Sequence, residues 1–332
     1  MPSSDARRRP TSARQKGMKV RFLGDSFPAA REILAELLAE DDVGAWASGA
    51  PAGPDGRADV LVPAMREVDG SLMDAARPAL IQQFGAGLEG VDVAAAAARG
   101  IPVANVPADR TGNAGSVAEL AMLHLLALSR RFDQARAALR DGRLGEPLGR
   151  GLGGQTATVI GLGAIGREVL TRLRPFGTRL VGMGRRPRSE ADPTVLALVD
   201  EYRPLVQLHA ALTATDLLVL CLPLTGDKRG IIGAAELRAL RPGGILVNVG
   251  RGPVVDHDAL VAALRSGSLT AAGLDVYWQE PIDPDDPVLA ENVSATPHVG
   301  GVTTQAYRAT AERFAANVER LRRGAPLEDR AA

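Results

Sequence analysis

Residues 156–173, TATVIGLGAIGREVLTRL, limit what this chain can fold into more than any other stretch does. A β-branched apolar run leads into Gly161, Gly163 and Gly166 in G-x-G-x-x-G spacing, and a helix-forming run follows at once. In that setting each glycine has a physical task. The first permits a tight turn, the second lets backbone approach a pyrophosphate, and the third lets helix and strand pack closely. The N–H groups of Ala164 and Ile165 then face an anion at the positive end of the helix. The glycines alone are weak evidence in a chain with 37 of them; the flanking strand and helix make the turn a dinucleotide-binding one.

The elements on either side continue the pattern. Before it come the strand KVRFLG from Lys19, a helix over Ala29–Leu38, ADVLVPA, helical SLMDAA, strand-like ALIQQFGAG, alanine-rich VDVAAAAARG and the strand IPVANVP. After it come the strands TRLVGM, DLLVLCL, GGILVNV, LTAAGLDVY and VSATPH, and a helix over Thr303–Arg323. Alternation of this kind implies an α/β fold of parallel sheets with helices on their faces, and 332 residues are enough for two such cores. Ser116–Phe132 is expected to be one buried apolar helix, with His124 inside it as a packing residue. GRLGEPLGRGLGGQ then reads as a crossing linker.

Bulk properties exclude several classes. With 39 basic and 39 acidic side chains, nothing points to nucleic acid or an anionic membrane. The basic residues are nearly all Arg, Lys occurring only at 16, 19 and 228, so arginine pairs are less informative here than elsewhere. Cys221 is the single cysteine, which excludes an internal disulfide and a cysteine zinc cluster, and no metal site is expected. No apolar run has spanning length, and MPSSDARRRPTSARQKG lacks a secretory core. Pro2, Asp5 and Pro10 interrupt any amphipathic presequence there, so residues 1–17 are expected to be a disordered tail, with Met18 an alternative start. A cytoplasmic protein is the default expectation.

The strand after the fingerprint ends in VGMGRRPR, residues 181–188. An Asp or Glu about 20 positions beyond the glycine turn ordinarily accepts the adenosine ribose hydroxyls. Here Gly184 stands in that place, and Arg185 and Arg186 follow. Glycine removes bulk and negative charge where a 2′-phosphate would sit, and planar, always charged guanidinium groups suit a phosphate. The pattern predicts NADP(H) as the preferred cofactor, with NAD(H) the alternative.

Three further segments each end a strand: NVGRGPVVD holds Arg251, DVYWQEP holds Glu280 and TPHVGG holds His298. Ligands of open parallel sheets bind beyond the carboxyl ends of the strands, so the three side chains are candidates for one crevice. His209 and His257 fall in helical, solvated positions and are not candidates.

The run GLGAIG, Pro223–Thr225 (PLT), NVGRG, GLDVYWQEP and TPHVGG, together with QQFGAGLEGVD and SVAEL earlier in the chain, resembles the D-isomer-specific 2-hydroxyacid dehydrogenases in order and over nearly everything after Met18. The resemblance implies a flavodoxin-like substrate domain, 18–117 and 299–332, interrupted by a Rossmann cofactor domain, 118–298. It implies that Arg251 holds the substrate carboxylate and polarises the keto oxygen, and that His298 donates the proton to that oxygen. Glu280, beside the imidazole, would raise its pKa. Asp275 would contact the nicotinamide carboxamide; Pro223, Val249, Gly250 and Gly300 would line the cofactor; backbone at Ala86 and Gly87 would grip the substrate carboxylate. A homodimer formed through the cofactor domain is implied as well.

Departures from the family narrow the substrate. Glu280 stands where formate-oxidising relatives carry Gln, and Ala86 where phosphite-oxidising relatives carry Lys. Leu120 replaces a histidine common after the SVAE segment, which reads as a packing change. MGRRPR is similar to the corresponding segment of NADPH-dependent glyoxylate and hydroxypyruvate reductases. A reductase of such small 2-keto acids is therefore the leading expectation. The alternatives are an NAD-dependent member acting on a larger or phosphorylated hydroxyacid and a non-catalytic dinucleotide-sensing protein of the corepressor kind.

Overall fold

The computed structural model describes residues 17–51 and 56–331; the expected tail therefore lies, Gly17 apart, outside the described residues. The chain divides into two compact units. One takes the chain up to Phe84, Gly90–Asn105 and everything from Ala311 on; the other takes Gly85–Glu89 and Val106–Thr310.

The first unit holds a five-stranded parallel sheet of β1 (Lys19–Leu23), β2 (Asp42–Trp46), β3 (Val60–Val62), β4 (Leu80–Gln82) and β5 (Val103–Ala104), in the order β2-β1-β3-β4-β5. Its helices start where local chemistry permits. Pro28 opens α1 (Pro28–Leu37), and the Asp69 and Asp92 carboxylates cap α2 (Gly70–Ala76) and α3 (Val93–Ala98) by accepting from Leu72 N and Ala95 N, both at 2.8 Å. Phe22, Leu34, Leu61, Ile81 and Phe314 are fully buried between these layers. Strand β2 was not legible in the sequence: DVGAW is short, carries a glycine, and is only partly buried at the sheet edge.

The second unit is built on a seven-stranded parallel sheet: β6 (Thr156–Ile160), β7 (Arg179–Gly184), β8 (Glu201–Pro204), β9 (Leu217–Leu220), β10 (Ile245–Asn248), β11 (Ala271–Leu274) and β12 (Val293–Ala295). The order β12-β11-β10-β9-β6-β7-β8 reverses between β6 and β9, which is the switch point of a doubly wound dinucleotide fold. Strands β6, β9, β10 and β11 are buried along their whole length, as expected where helices cover both faces. Strand β8 escaped sequence reading because EYRP is polar and ends in proline, a pattern tolerated only at an edge.

The long apolar stretch forms one helix, as expected, though it ends before Phe132, and a second, unexpected helix follows it. Helix α4 runs Asn113–Ser129, Arg131 turns into the left-handed region at φ 51°, and α5 follows over Phe132–Arg140. The Ser129 carbonyl accepts Arg150 N–H at 2.7 Å, so the linker takes a hydrogen-bond acceptor that a continued helix would have used. Val117, Ala118, Ala121, Met122 and Leu125 on α4 belong to one core with Val169, Leu170 and Leu173 of α6 (Ala164–Leu173) and with strand residues of β6, β9 and β10. This packing groups residues 106–117 with the second unit, whereas the sequence reading divided the chain at 118. The C-terminal helix, Thr304–Arg322, likewise begins in the second unit and passes to the first at Ala311, against an expected boundary at 298/299.

Candidate active site

The carboxyl ends of β6, β9, β10, β11 and β12 carry the candidate residues. At β6, Gly161 has φ 95° and a side chain there would meet the Cys221 carbonyl at 2.6 Å. A Cβ at Gly166 would overlap the Gly161 carbonyl, while at Gly163 the space is open. So two glycines are fixed by packing and one leaves backbone accessible. The N-terminus of α6 has no side-chain cap and no acidic residue in its first turn. The exposed turn and the uncapped helix end together fit a dinucleotide pyrophosphate. A cavity of about 830 Å³ opens there, lined in part by Gly112, Ser116, Gly163, Ala164 and Thr303; it takes in the pyrophosphate turn but not Arg251, Glu280 or His298.

The loops after β9 and β10 abut. A Cβ at Gly250 would meet the Leu222 carbonyl at 2.6 Å, just before exposed Pro223. Val249 is buried in the core, leaving its backbone as the part that can line the groove. Buried Asn248 shapes the loop, its amide donating to Arg251 O at 2.9 Å and its carbonyl oxygen accepting Gly250 N–H at 3.1 Å.

Arg251 meets the segment Gly85–Glu89. Its Nε donates to Glu89 Oε1 at 3.0 Å, Nη2 to Oε2 at 3.3 Å, and Nη1 to its neighbour Gly250 O at 2.8 Å. Glycine at position 87 leaves room for this placement of the guanidinium, since a Cβ there would overlap Nη2 and push the arginine aside. Ala86 is exposed beside it. The following residue, Gly252, lies flat against Tyr277, a Cβ there overlapping the Tyr277 carbonyl carbon. Tyr277 N–H in turn donates to Glu280 Oε1 at 3.0 Å, and Glu280 Oε2 accepts from His298 Nδ1 at 2.6 Å. One chain of contacts thus links the three candidate side chains.

An ionised carboxylate only accepts, so Nδ1 of His298 carries a proton, and proton exchange with a ligand falls to Nε2. His298 adopts a left-handed backbone, φ 54°, uncommon for a non-glycine residue and held by the surrounding turn.

Asp275 is almost fully buried, and loss of solvent raises its pKa against the donors that stabilise its charge. Oδ1 accepts from Thr296 Oγ1 at 2.7 Å and Val299 N at 2.8 Å, and Oδ2 accepts Gly300 N at 2.8 Å. Gly300 is glycine because a Cβ would approach Oδ2 to 2.8 Å. Thr296 also meets His124 Nε2 at 3.2 Å, while His124 Nδ1 lies 2.8 Å from Ser294 Oγ. Because the Thr296 hydroxyl donates to Asp275, Nε2 of His124 must donate to Thr296 and Nδ1 accept from Ser294. That is the neutral imidazole, and burial pulls its pKa down to about 4.

At the end of β7, exposed Arg185, Arg186 and Arg188 have no carboxylate partner among the described residues. Their neighbours do: Arg167 pairs with Asp192, Arg172 with Glu119 and Glu168, Arg174 with Asp200, and Arg179 with Glu201. Gly184 has a packing reason as well. A Cβ there would come 2.6 Å from the Tyr202 hydroxyl.

Sequence reading missed Glu89, Asn248, Tyr202 and Thr296. Glu89, Asn248 and Thr296 lie inside motifs already singled out, two residues after Gly87, three before Arg251 and two before His298, and that spacing was the only available signal. His257 opens a helix, as expected, but it is half-buried, bonded to Asp258 at 2.8 Å and Asp286 at 3.0 Å, and set edge-on to Trp278. His209 is exposed, as expected.

A doubly wound sheet, a fingerprint turn at its switch point and a carboxylate-held histidine define a nicotinamide-dependent oxidoreductase. Residues 122–300 match the model of the D-isomer-specific 2-hydroxyacid dehydrogenase NAD-binding domain. A glyoxylate reductase of Thermococcus gammatolerans is 34% identical over 320 residues, 92% of this chain and 89% of its own. A D-3-phosphoglycerate dehydrogenase of Methanocaldococcus jannaschii is 36% identical over 75% of this chain, but over only 47% of its own. The crystal structure of an NADPH-dependent glyoxylate/hydroxypyruvate reductase of Sinorhizobium meliloti, in complex with NADP and malonate, superposes with a TM-score of 0.80 at 32% identity, covering 94% of this chain and 96% of that one. The chain belongs to the D-isomer-specific 2-hydroxyacid dehydrogenase family and is an oxidoreductase of that family. No helix among the described residues is long and apolar enough to cross a membrane.

Proposed function

We propose that the protein is an NADP(H)-preferring reductase of small 2-keto acids, glyoxylate or hydroxypyruvate foremost. The observation that carries the cofactor half is the arginine turn: Arg185, Arg186 and Arg188 stand without carboxylate partners among the described residues, in a region where four other arginines are paired. Unpaired guanidinium groups beyond a strand end that lacks an acid favour a 2′-phosphate over free ribose hydroxyls. The names of the glyoxylate reductase relatives support the substrate half.

When bound, the nicotinamide supplies or accepts the hydride. Gly161, Gly163, Ala164, Ile165 and Gly166 would hold its pyrophosphate, Gly184, Arg185 and Arg186 its adenosine end, and Pro223, Val249, Gly250, Asp275 and Gly300 its remaining length. Asp275 Oδ2, which accepts Gly300 N–H, has a second lone pair that would accept a carboxamide N–H. Arg251, with backbone at Ala86 and Gly87, binds and orients the substrate carboxylate. His298 delivers a proton from Nε2 to the keto oxygen, and takes it back in the reverse direction, while Glu280 holds the ring in that orientation.

Steady-state assays on a keto-acid panel with NADPH and NADH test both halves. Turnover of glyoxylate or hydroxypyruvate with a clear NADPH preference is expected. A preference for NADH, or for a phosphorylated keto acid, overturns the corresponding half. Replacing Arg185 and Arg186 by Ala is expected to raise the KM for NADPH about tenfold or more for each charge-assisted hydrogen bond to the phosphate that is removed, with little change for NADH.

A homodimer and a cytoplasmic location belong to the same reading. Leu123, Phe132, Leu139, Leu144 and Leu148 all present exposed apolar surface within 26 residues of chain, Leu144 completely so. A run of that kind is best explained by a second copy of the chain covering it.

A further inference from the structure

We propose that Tyr202 is a specificity-determining residue for the cofactor: its phenol fills the place of a ribose-binding carboxylate and fixes the arginine turn from behind. The proposal deepens the NADP(H) reading and rests on it.

Strands β7 and β8 pair in parallel with Gly182 opposite Tyr202 and Gly184 opposite Pro204. Alternate residues of a strand share a face, so the positions that concern Tyr202 on β7 are 182 and 184. A Cβ at Gly182 would meet Leu162 of the fingerprint turn at 3.4 Å and Val199 at 2.8 Å. This is therefore the face on which the dinucleotide turn lies. On that same face a Cβ at Gly184 would lie 2.6 Å from the Tyr202 hydroxyl oxygen and 3.3 Å from Cζ. The first atoms of an aspartate or glutamate at 184 and the tip of the Tyr202 ring thus compete for one space.

The same hydroxyl donates to the Arg186 carbonyl at 2.7 Å. Tyr202 is only 7% exposed, and burial raises its pKa, so the phenol stays a donor through the neutral range. The bond ties the backbone of the turn directly to the sheet. With the backbone that carries Arg185 and Arg186 held in place, only the arginine side chains remain to be ordered when a phosphate binds. An acid at 184 would displace the ring, release Arg186 and abolish both features together. The two cofactor solutions are mutually exclusive in this fold, and Tyr202 is the residue that makes them so.

Dissociation constants for NADPH and NADH, measured by titration calorimetry on the full chain, test this without reference to turnover. Tyr202→Phe keeps the ring and loses only the tie to Arg186. It should weaken NADPH at least fivefold and leave NADH within twofold. Gly184→Asp alone should weaken both cofactors. Adding Tyr202→Ala to it should restore NADH binding at least tenfold over the single variant while NADPH stays weak, a non-additivity that direct packing of the two positions requires. An unchanged NADPH to NADH ratio in Tyr202→Phe, or tighter NADH binding by Gly184→Asp alone, overturns the proposal. If the double variant does not melt cooperatively, those two single variants decide. Failure of the underlying reading looks different: wild type would then bind NADH as tightly as NADPH, and Arg185→Ala with Arg186→Ala would not alter the ratio. A wild-type NADPH preference that the arginine variants abolish and Tyr202→Phe leaves intact overturns only the role of Tyr202.

Discussion

Glu89 and Arg251, separated by 162 residues in sequence, form a two-point ion pair in which the carboxylate takes the Nε and Nη2 edge of the guanidinium. Gly250 O takes one hydrogen from Nη1. Of the five guanidinium donors, three are engaged in this way, and one hydrogen on each of Nη1 and Nη2 remains for a ligand. Glu89 therefore orients Arg251 and leaves its end available. Glu89→Ala is expected to raise the KM for the keto acid about fivefold, equivalent to about 1 kcal/mol, the upper end for a partly exposed pair. Cofactor dissociation constants should not move. An unchanged KM would mean that Arg251 is positioned by Asn248 and Gly250 alone.

His298→Ala is expected to lower kcat by about 10²- to 10⁴-fold, the usual contribution of a positioned general acid. Cofactor affinity should persist, because the pyrophosphate turn and Asp275 do not depend on the imidazole. Glu280→Ala should cost less, since the ring remains and loses only the partner that holds Nδ1. Rapid-mixing measurement of a single turnover separates these effects from product release. Full turnover by His298→Ala would place the proton donor elsewhere.

The buried His124 carries a pH dependence whose sign follows from its environment. Its folded-state pKa is pushed down to about 4 by loss of solvent, from an ordinary value of 6.5, so the unfolded chain binds more protons between those limits. Stability is then complete above pH 6.5 and lost progressively as pH falls toward 4, by about 3 kcal/mol at most. His257 acts in the opposite sense. Burial works against its charge, but bonds to Asp286 and Asp258 outweigh it and raise the pKa, so its contribution is full below pH 6.5 and fades as pH rises. Melting temperatures of wild type and His124→Gln from pH 7 to pH 4 check this. The variant should be less stable at pH 7 and show a shallower acid slope; parallel curves would assign the acid sensitivity to other groups.

Leu144 and Leu148 are 100% and 91% exposed. If a second copy covers them, Leu144→Asp with Leu148→Asp should halve the mass measured by light scattering without loss of the folded signal. A wild-type chain that is monomeric at micromolar concentration would remove the dimer from the proposed function.

By itself the sequence determined the fold class and most of its elements. Apolar runs of strand length alternate with helical periodicity, and of the fingerprint's glycines Gly166 is dictated by a local contact, with the Gly161 carbonyl. Edge strands β2 and β8 were illegible because half-buried polar segments carry little hydrophobic pattern, and the point at which α4 ends is tied to Arg150, beyond it in the chain. Arg251, Glu280 and His298 were each visible as polar residues at strand ends. Their linkage through Gly252 and Tyr277 was not, since no spacing rule joins separate loops. Only the tertiary structure decided what surrounds them: Glu89 on the arginine, Thr296 and His124 beneath Asp275, and Tyr202 over Gly184. Gly184 shows the difference most plainly. In the sequence it is a missing acid; in the fold it is also a position whose side chain has been replaced by one from the neighbouring strand.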